Sequence, residues 1–184
     1  MNKRMVAWHE AGHAVVGRHL GLPVTRVGIW QTKYKCVDGR RAFKLWEGET
    51  RANFNSLSVP DQRIASVAGA MAVYCWEEAA PGRAISQATG EYREPPFDID
   101  RDAIRYLMSS GDWTINNVTL DPGMFSDAEE TLWDEAMEQV YSLLNPKTGP
   151  LWRELKNEAD TIRRRGFVTT LDRKTFGSTD RVTQ

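Results

Sequence analysis

The chain has 184 residues, of which 24 are lysine or arginine and 25 are aspartate or glutamate, so its formal net charge is −1. This balance excludes the overall basic field that recruits nucleic acid or an anionic membrane. Two cysteines are too few for a disulfide scaffold, and no stretch approaches the ~18 apolar residues of a membrane-spanning helix. The first residues resemble no secretion signal. We therefore expect a soluble, cytoplasmic protein that binds neither nucleic acid nor membrane.

The beginning of the sequence predicts a helix. Residues 4–20 place apolar side chains and two histidines at helical spacing. Gly21 and Pro23 follow the last turn, and this order of glycine and proline is typical of a helix end.

The next part predicts a small antiparallel sheet. Residues 24–30 alternate between apolar and polar side chains, as in a strand with one buried face. Two further extended segments, 34–37 and 41–46, flank Asp38-Gly39, a dipeptide that favours a two-residue β-turn. We expect these segments to form a hairpin beside the first helix.

The remainder predicts helices joined by loops. Residues 60–78 are apolar on nearly every side, which is typical of a central, buried helix. Further helices are expected at 98–109, 127–144 and 150–165, and the second of these begins with a capping box formed by Ser126 and Glu129.

Proline and glycine residues predict a loop at 81–97, and the polar segment 177–184 predicts a frayed tail. The expected fold is therefore α+β and mostly helical, with a small antiparallel sheet after the first helix, in one domain spanning residues 1–176.

Three side chains of the first helix indicate metal chemistry. His9 and His13 are four residues apart, so both imidazoles leave the same helix face and could bind one tetrahedral Zn²⁺. Glu10 lies beside that pair, where a carboxylate could act as general base toward a water molecule. The alternative is that all three are ordinary surface groups, but the apolar flanking residues favour a buried helix.

A catalytic zinc site needs a third protein ligand. His19 has the spacing of a metzincin ligand, yet a continuous helix would direct it about 120° away from His13. Glu77 or Glu78, at the end of the buried helix, could serve instead, or could be a solvated helix end.

The segment from Met5 to Val16 resembles the start of the peptidase domain of FtsH, the membrane-bound AAA protease, and small stand-alone proteins related to that domain. Residues 22–27, Leu-Pro-Val-Thr-Arg-Val, are similar to that family's turn into its first strand. Residues 68–72, Ala-Gly-Ala-Met-Ala, are similar to its buried Gly-x-Ala-Ala helix. The resemblance extends over residues 4–176 and implies a zincin-like fold.

This resemblance also implies an aspartate as the third zinc ligand, followed on its helix by apolar residues at the fourth, seventh and eighth positions. Asp100 matches that pattern with Ile104, Leu107 and Met108, so the ligand role is carried over to Asp100. Asp98 is the second candidate, with a helix N-cap as its alternative role.

The function implied is that of a zinc metalloendopeptidase with His9, His13 and Asp100 as ligands and Glu10 as the catalytic residue. The sequence contains no phosphate-binding loop of the Gly-x-x-x-x-Gly-Lys-Ser/Thr type, so we expect an enzyme that does not use ATP. Its partners would be flexible or unfolded protein segments. The alternatives are a zinc amidohydrolase of a small peptide and an inactive zincin-fold interaction module.

Overall fold

The computed structural model describes residues 2–35, 42–79 and 100–169. Several features expected from the sequence lie outside the described residues, namely the Asp38-Gly39 turn, the loop at 81–97, Asp98 and the tail at 177–184. In the described segments no helix has the combination of length and apolar character needed to cross a bilayer.

The structure is mostly helical with a small antiparallel sheet, as expected for an α+β fold. The helices, in chain order, are α1 (Lys3–His19), α2 (Val59–Ala79), α3 (Arg101–Leu107), α4 (Asp127–Leu144) and α5 (Trp152–Arg165). The strands are β1 (Arg26–Lys35), β2 (Ala42–Arg51), β3 (Thr114–Ile115), β4 (Val118–Thr119) and β5 (Phe167–Thr169). Short 3-10 helices lie at Phe54–Ser56, Ser110–Trp113 and Pro122–Met124.

Helix α1 begins and ends close to the predicted positions. The Asn2 side chain caps its start by accepting hydrogen bonds from the backbone N–H groups of Arg4 and Met5 at 3.0 and 2.9 Å. After the last turn Gly21 has a φ of 85°, a left-handed conformation that favours glycine. The helix therefore stops sharply and the chain turns into the sheet.

The main sheet has the strand order β2-β1-β5. The sequence predicted two separate extended segments where the structure has the single strand β1, because its whole length pairs with β2, from Arg26 opposite Arg51 to Lys35 opposite Ala42. Strand β5 was not expected, and it pairs with β1 through Val168 opposite Val27. In the described part of the chain, β2 is consequently an edge strand.

Helix α2 is buried, as predicted, and packs against α1 and α4. Gly12 allows α1 to approach it, because a side chain at this position would overlap the carbonyl oxygen of Ala68 and lie 2.7 Å from the Cβ of Ala72. The close approach explains a glycine in the helix interior. It also brings the histidine-bearing face of α1 directly onto α2.

Ion pairs connect helix α3 to helix α4. Arg101 donates to Glu138 at 2.6 Å, and Arg105 donates to Asp134 at 3.1 Å. Helix α4 itself begins at the predicted capping box, in which the Ser126 N–H donates to the Glu129 carboxylate at 3.1 Å. These contacts fix the 3-10 turn after α3, which packs against α2.

Candidate metal centre

The two histidines of α1 meet as the helical spacing predicted. The Nε2 atoms of His9 and His13 lie 3.1 Å apart, and the ring centroids lie 4.8 Å apart. His9 is 4% exposed, so the pair sits under the surface rather than on it. Two imidazoles, one buried and one half-buried, whose nitrogens point at each other need a cation or a proton between them.

A third ligand-type group, Asp112, completes this cluster. Its Oδ1 lies 3.1 Å from His13 Nε2 and its Oδ2 lies 3.2 Å from His9 Nε2. The Ser109 backbone N–H donates to Oδ2 at 2.6 Å, which orients the carboxylate from the 3-10 turn after α3. Within residues 2–35, 42–79 and 100–169, these three residues are the group of histidine and carboxylate side chains suited to hold a metal.

Asp100, to which the resemblance assigned the ligand role, is not part of this cluster. Its side chain caps α3 by accepting a hydrogen bond from the Ala103 N–H at 3.0 Å, and its own N–H donates to the Tyr74 hydroxyl at 3.4 Å. The capping role that the sequence suggested for Asp98 therefore falls to Asp100. Asp112 takes the metal-facing position instead.

The other sequence candidates do not join the cluster either. His19 is exposed at the end of α1. Glu77 and Glu78 lie in the last turn of α2, and Glu78 accepts hydrogen bonds from the Tyr141 hydroxyl at 3.0 and 3.1 Å. Asp112 was missed because its only local signal is a polar turn, Ser-Ser-Gly-Asp, between two buried apolar residues.

Hydrogen bonding fixes the tautomer of His13. Its Nδ1 lies 2.9 Å from the Ala65 carbonyl oxygen, which can only accept, so Nδ1 carries a proton, and in the neutral imidazole Nε2 presents a lone pair to the cluster. His9 Nδ1 is buried and has no hydrogen-bond partner in the described part of the chain. The orientation of His9 is thus fixed by packing and by the groups around Nε2.

His13 and Asp112 each shift the pKa of the other. Burial alone would lower the pKa of His13, but the neighbouring Asp112 carboxylate, with help from Glu10 and the Ala65 carbonyl, raises this pKa to about 9. Burial would raise the pKa of Asp112, yet the two imidazoles hold it well below its usual range. The buried carboxylate therefore stays charged and requires a positive charge beside it.

Two glycines make room for the cluster. A Cβ at Gly69 of α2 would overlap His13 Nε2 and lie 2.7 Å from His9 Nε2. A Cβ at Gly48 of β2 would overlap the Glu10 side chain and lie 2.7 Å from its Oε1. Any larger residue at either position would displace a side chain of the candidate site.

Glu10 points toward β2 and is 7% exposed. The Thr50 hydroxyl lies 2.8 Å from Glu10 Oε2 and 3.0 Å from the Glu10 backbone carbonyl, so one hydroxyl can donate to either oxygen of the same residue. This contact holds the carboxylate beside the histidine pair and leaves Oε1 without a described donor. The carboxylate therefore keeps a proton-accepting oxygen.

A cavity of about 430 Å³ opens onto these groups. Its walls come from α1, from β2 at residues 48–50, from the 3-10 turn at Phe54–Ser56 and from the turn that carries Asp112. Phe54 makes an edge contact with the His13 ring, at 6.5 Å between centroids. The cluster is thus reachable from solvent through a cleft bordered by an edge strand.

The residues present fit zinc. A tetrahedral zinc ion places its nitrogen and oxygen ligands about 2.0–2.2 Å from the metal, and therefore roughly 3.3 Å from one another. The two Nε2 atoms lie 3.1 Å apart, and each lies near a different oxygen of Asp112, His13 at 3.1 Å from Oδ1 and His9 at 3.2 Å from Oδ2. Two imidazoles and one carboxylate are a usual donor set for catalytic zinc, which keeps one position for water or substrate.

The chain matches no protein-family model and no curated protein. The relationship to FtsH-type peptidases therefore stays a hypothesis, and the chemistry of the site rests on its own geometry.

Proposed function

We propose that this chain is a zinc-dependent metallopeptidase that works without ATP. The observation that carries the proposal is the convergence of His9, His13 and Asp112 on one point, with the Glu10 carboxylate beside them and a cleft above them. The ligands named here differ from those implied by the sequence resemblance in one residue, since Asp112 replaces Asp100.

Each residue has a distinct role in this proposal. His9, His13 and Asp112 would hold the zinc ion, which when bound supplies a Lewis acid that acidifies water and polarises a carbonyl group. Glu10 accepts the proton of the attacking water and later delivers it to the leaving amine. Thr50 keeps the Glu10 carboxylate in place by donating a hydrogen bond to it.

The position of β2 supports a peptide as substrate. Strand β2 lies at the edge of the sheet in the described part of the chain, and its residues 48–50 line the cleft. An extended peptide can add to such an edge through main-chain hydrogen bonds, which bind any sequence in the extended conformation. Because the sequence contains no phosphate-binding loop, the proposed substrates are flexible or already unfolded segments.

Zinc content and casein cleavage, measured on the wild type and on Glu10→Gln, test the proposal. We expect one zinc per chain in both proteins and cleavage by the wild type only, with a loss of at least about 100-fold in rate for the variant, because general-base catalysis is removed. The matched control is Glu49→Gln, an exposed carboxylate of the same cleft, and this variant should cleave at the wild-type rate.

Two other results would contradict the peptidase function and indicate a different one. A zinc-loaded wild type that cleaves short peptides but not casein would point to a small-peptide amidohydrolase. A zinc-loaded wild type that cleaves neither substrate would point to an inactive binding module.

A further inference from the structure

A second cavity, of about 610 Å³, lies on a different side of α1 from the metal cluster. The first turns of α1, the last turn of α2 and the first turns of α5 surround it. Trp8 of this cavity and His13 of the metal cluster are five residues apart, which corresponds to roughly 140° around the helix. The cavity is therefore separate from the proposed peptidase cleft, and its volume falls in the range of small-molecule sites.

One wall of this cavity is a stack of three tryptophan rings. Trp8 is 6% exposed and lies between Trp76 and Trp152, with centroid distances of 5.8 and 5.4 Å and interplanar angles of 15° and 26°. The two outer rings are half-buried and line the cavity. The two outer rings therefore contribute aromatic surface to the cavity and are held in place by Trp8, which suits contact with another aromatic ring.

The carboxylates that line the cavity already have partners. Glu78 accepts hydrogen bonds from the Tyr141 hydroxyl, and Asp160 lies 3.5 Å from the guanidinium of Arg163. The charge of Asp160 is therefore partly neutralised by Arg163, and the Glu78 carboxylate is held by a hydrogen bond.

Two cations of the same cavity lack an acidic partner. Within the described residues neither Arg4 nor Lys156 forms an ion pair, and the Arg4 guanidinium lies over the Trp76 ring at 5.7 Å from its centroid. Three cations, Arg4, Lys147 and Lys156, line the cavity together with two carboxylates, Glu78 and Asp160. The cavity thus combines aromatic surface with an excess of one positive charge, and an anion attached to a planar ring is complementary to both.

We propose that this cavity binds a small planar aromatic carboxylate. The ring would lie against the exposed part of Trp152, and the carboxylate would be held by Lys156, with Arg4 adding positive charge nearby. This proposal does not rest on the peptidase function, because none of its residues belongs to the metal cluster or its cleft.

Calorimetric titration of the full chain with 2-naphthoate, and with its uncharged analogue 2-naphthamide, tests the proposal. Two-dimensional NMR of the indole N–H groups locates the bound ring. We expect naphthoate to bind with one site, to shift the indole signals of Trp76 and Trp152, and to bind about tenfold more tightly than naphthamide, because a charge-assisted contact is lost in the amide.

Charge reversal tests the role assigned to Lys156. Lys156→Glu should weaken naphthoate binding by about tenfold or more, whereas the matched control Lys44→Glu, an exposed lysine of β2, should change it less than about twofold. Both positions are exposed, so both variants should fold. Equal affinity for the acid and the amide, unchanged affinity in Lys156→Glu, or shifts confined to other tryptophans would each overturn the proposal.

Discussion

Two buried carboxylates lie in opposite environments: Asp112, on the 3-10 turn that packs against α2, and Glu77, in the last turn of α2. Near residues 65–69, α2 packs against the histidines that surround Asp112, and these neighbours hold the pKa of this carboxyl well below its usual range against the effect of burial. At the other end Glu77 is 5% exposed and has no hydrogen-bond or ion-pair partner in the described part of the chain. Burial raises the pKa of Glu77 to about 7.

The difference shows that burial alone does not identify a functional carboxylate. Asp112 stays charged because cationic or metal-binding groups converge on it, whereas Glu77 is driven toward its neutral form. Glu10 differs from both in its contacts, since it has one hydroxyl donor and lies near His13. Substitutions at single positions can change these environments one at a time.

The largest effect is expected from Asp112→Asn. An amide keeps the shape of the side chain but removes its negative charge, so zinc affinity should fall at least about 100-fold and peptidase activity should disappear. Asp100→Asn is the matched control, because asparagine also caps helices and should leave both properties unchanged. Metal titration followed by competition with a chelator measures the affinities. Loss of zinc in Asp100→Asn with retention in Asp112→Asn would restore the ligand implied by the resemblance.

Gly69→Ala should also damage the metal end of α2. The added methyl group would overlap His13 Nε2, and over-packing of a tight interface should destabilise the protein by about 3 kcal/mol and weaken zinc binding. Gly111→Ala is the control, since its nearest neighbour is Ser109 Oγ at 3.7 Å, an ordinary contact distance. Denaturant unfolding with and without zinc provides the comparison. Equal stability of the two variants would contradict the described packing.

Glu77→Gln should stabilise the other end of α2 in a pH-dependent manner. The folded-state pKa of about 7 lies above the ordinary value of 4.5, so the native state binds more protons and wild-type stability falls as pH rises from about 4.5 to 7. Glutamine does not titrate there. Above pH 7 the free energy of unfolding of the variant should therefore exceed that of the wild type by about 3 kcal/mol more than it does near pH 4.

Urea unfolding at pH 4.5, 6 and 8 measures this gain. Glu130→Gln, on an exposed face of α4, is the control and should show no such pH-dependent difference. A constant difference between Glu77→Gln and the wild type at all three pH values would show that Glu77 is solvated in the native state.

The smallest effect is expected from Thr50→Val. Valine has nearly the shape of threonine but cannot donate to Glu10, so kcat should fall about tenfold while KM and zinc content stay unchanged. Thr50→Ser retains the hydroxyl and should restore most of kcat. A fall in kcat that serine does not reverse would indicate a packing effect of the β-branched side chain instead.

Helical periodicity predicted the position of α1 and the meeting of His9 with His13, because both depend on contacts within one helix. The capping box at Ser126 was predictable for the same reason. Asp112 could not be predicted, since its approach to the histidines depends on how α3 docks on α4 and on the 3-10 turn that follows. The apolar pattern after Asp100 describes a helix with one buried face, and such a pattern does not distinguish a capping aspartate from a ligand.

Strand β5 was missed because Phe167–Thr169 is short and its pairing with β1 is remote in sequence. The continuity of β1 was missed because polar residues at its centre suggested a break. The small sheet was nevertheless expected in the right place, next to the helix that carries His9 and His13.

The docking of the Asp112 turn against α1 has a consequence for the whole chain. A metal held by His13 and Asp112 would cross-link two positions about 100 residues apart in the sequence. If the cross-link persists in the unfolded chain, it restricts that chain as a disulfide does. If the metal binds only the native state, it stabilises the fold by mass action. Availability of zinc would then determine the lifetime of the protein in addition to its activity.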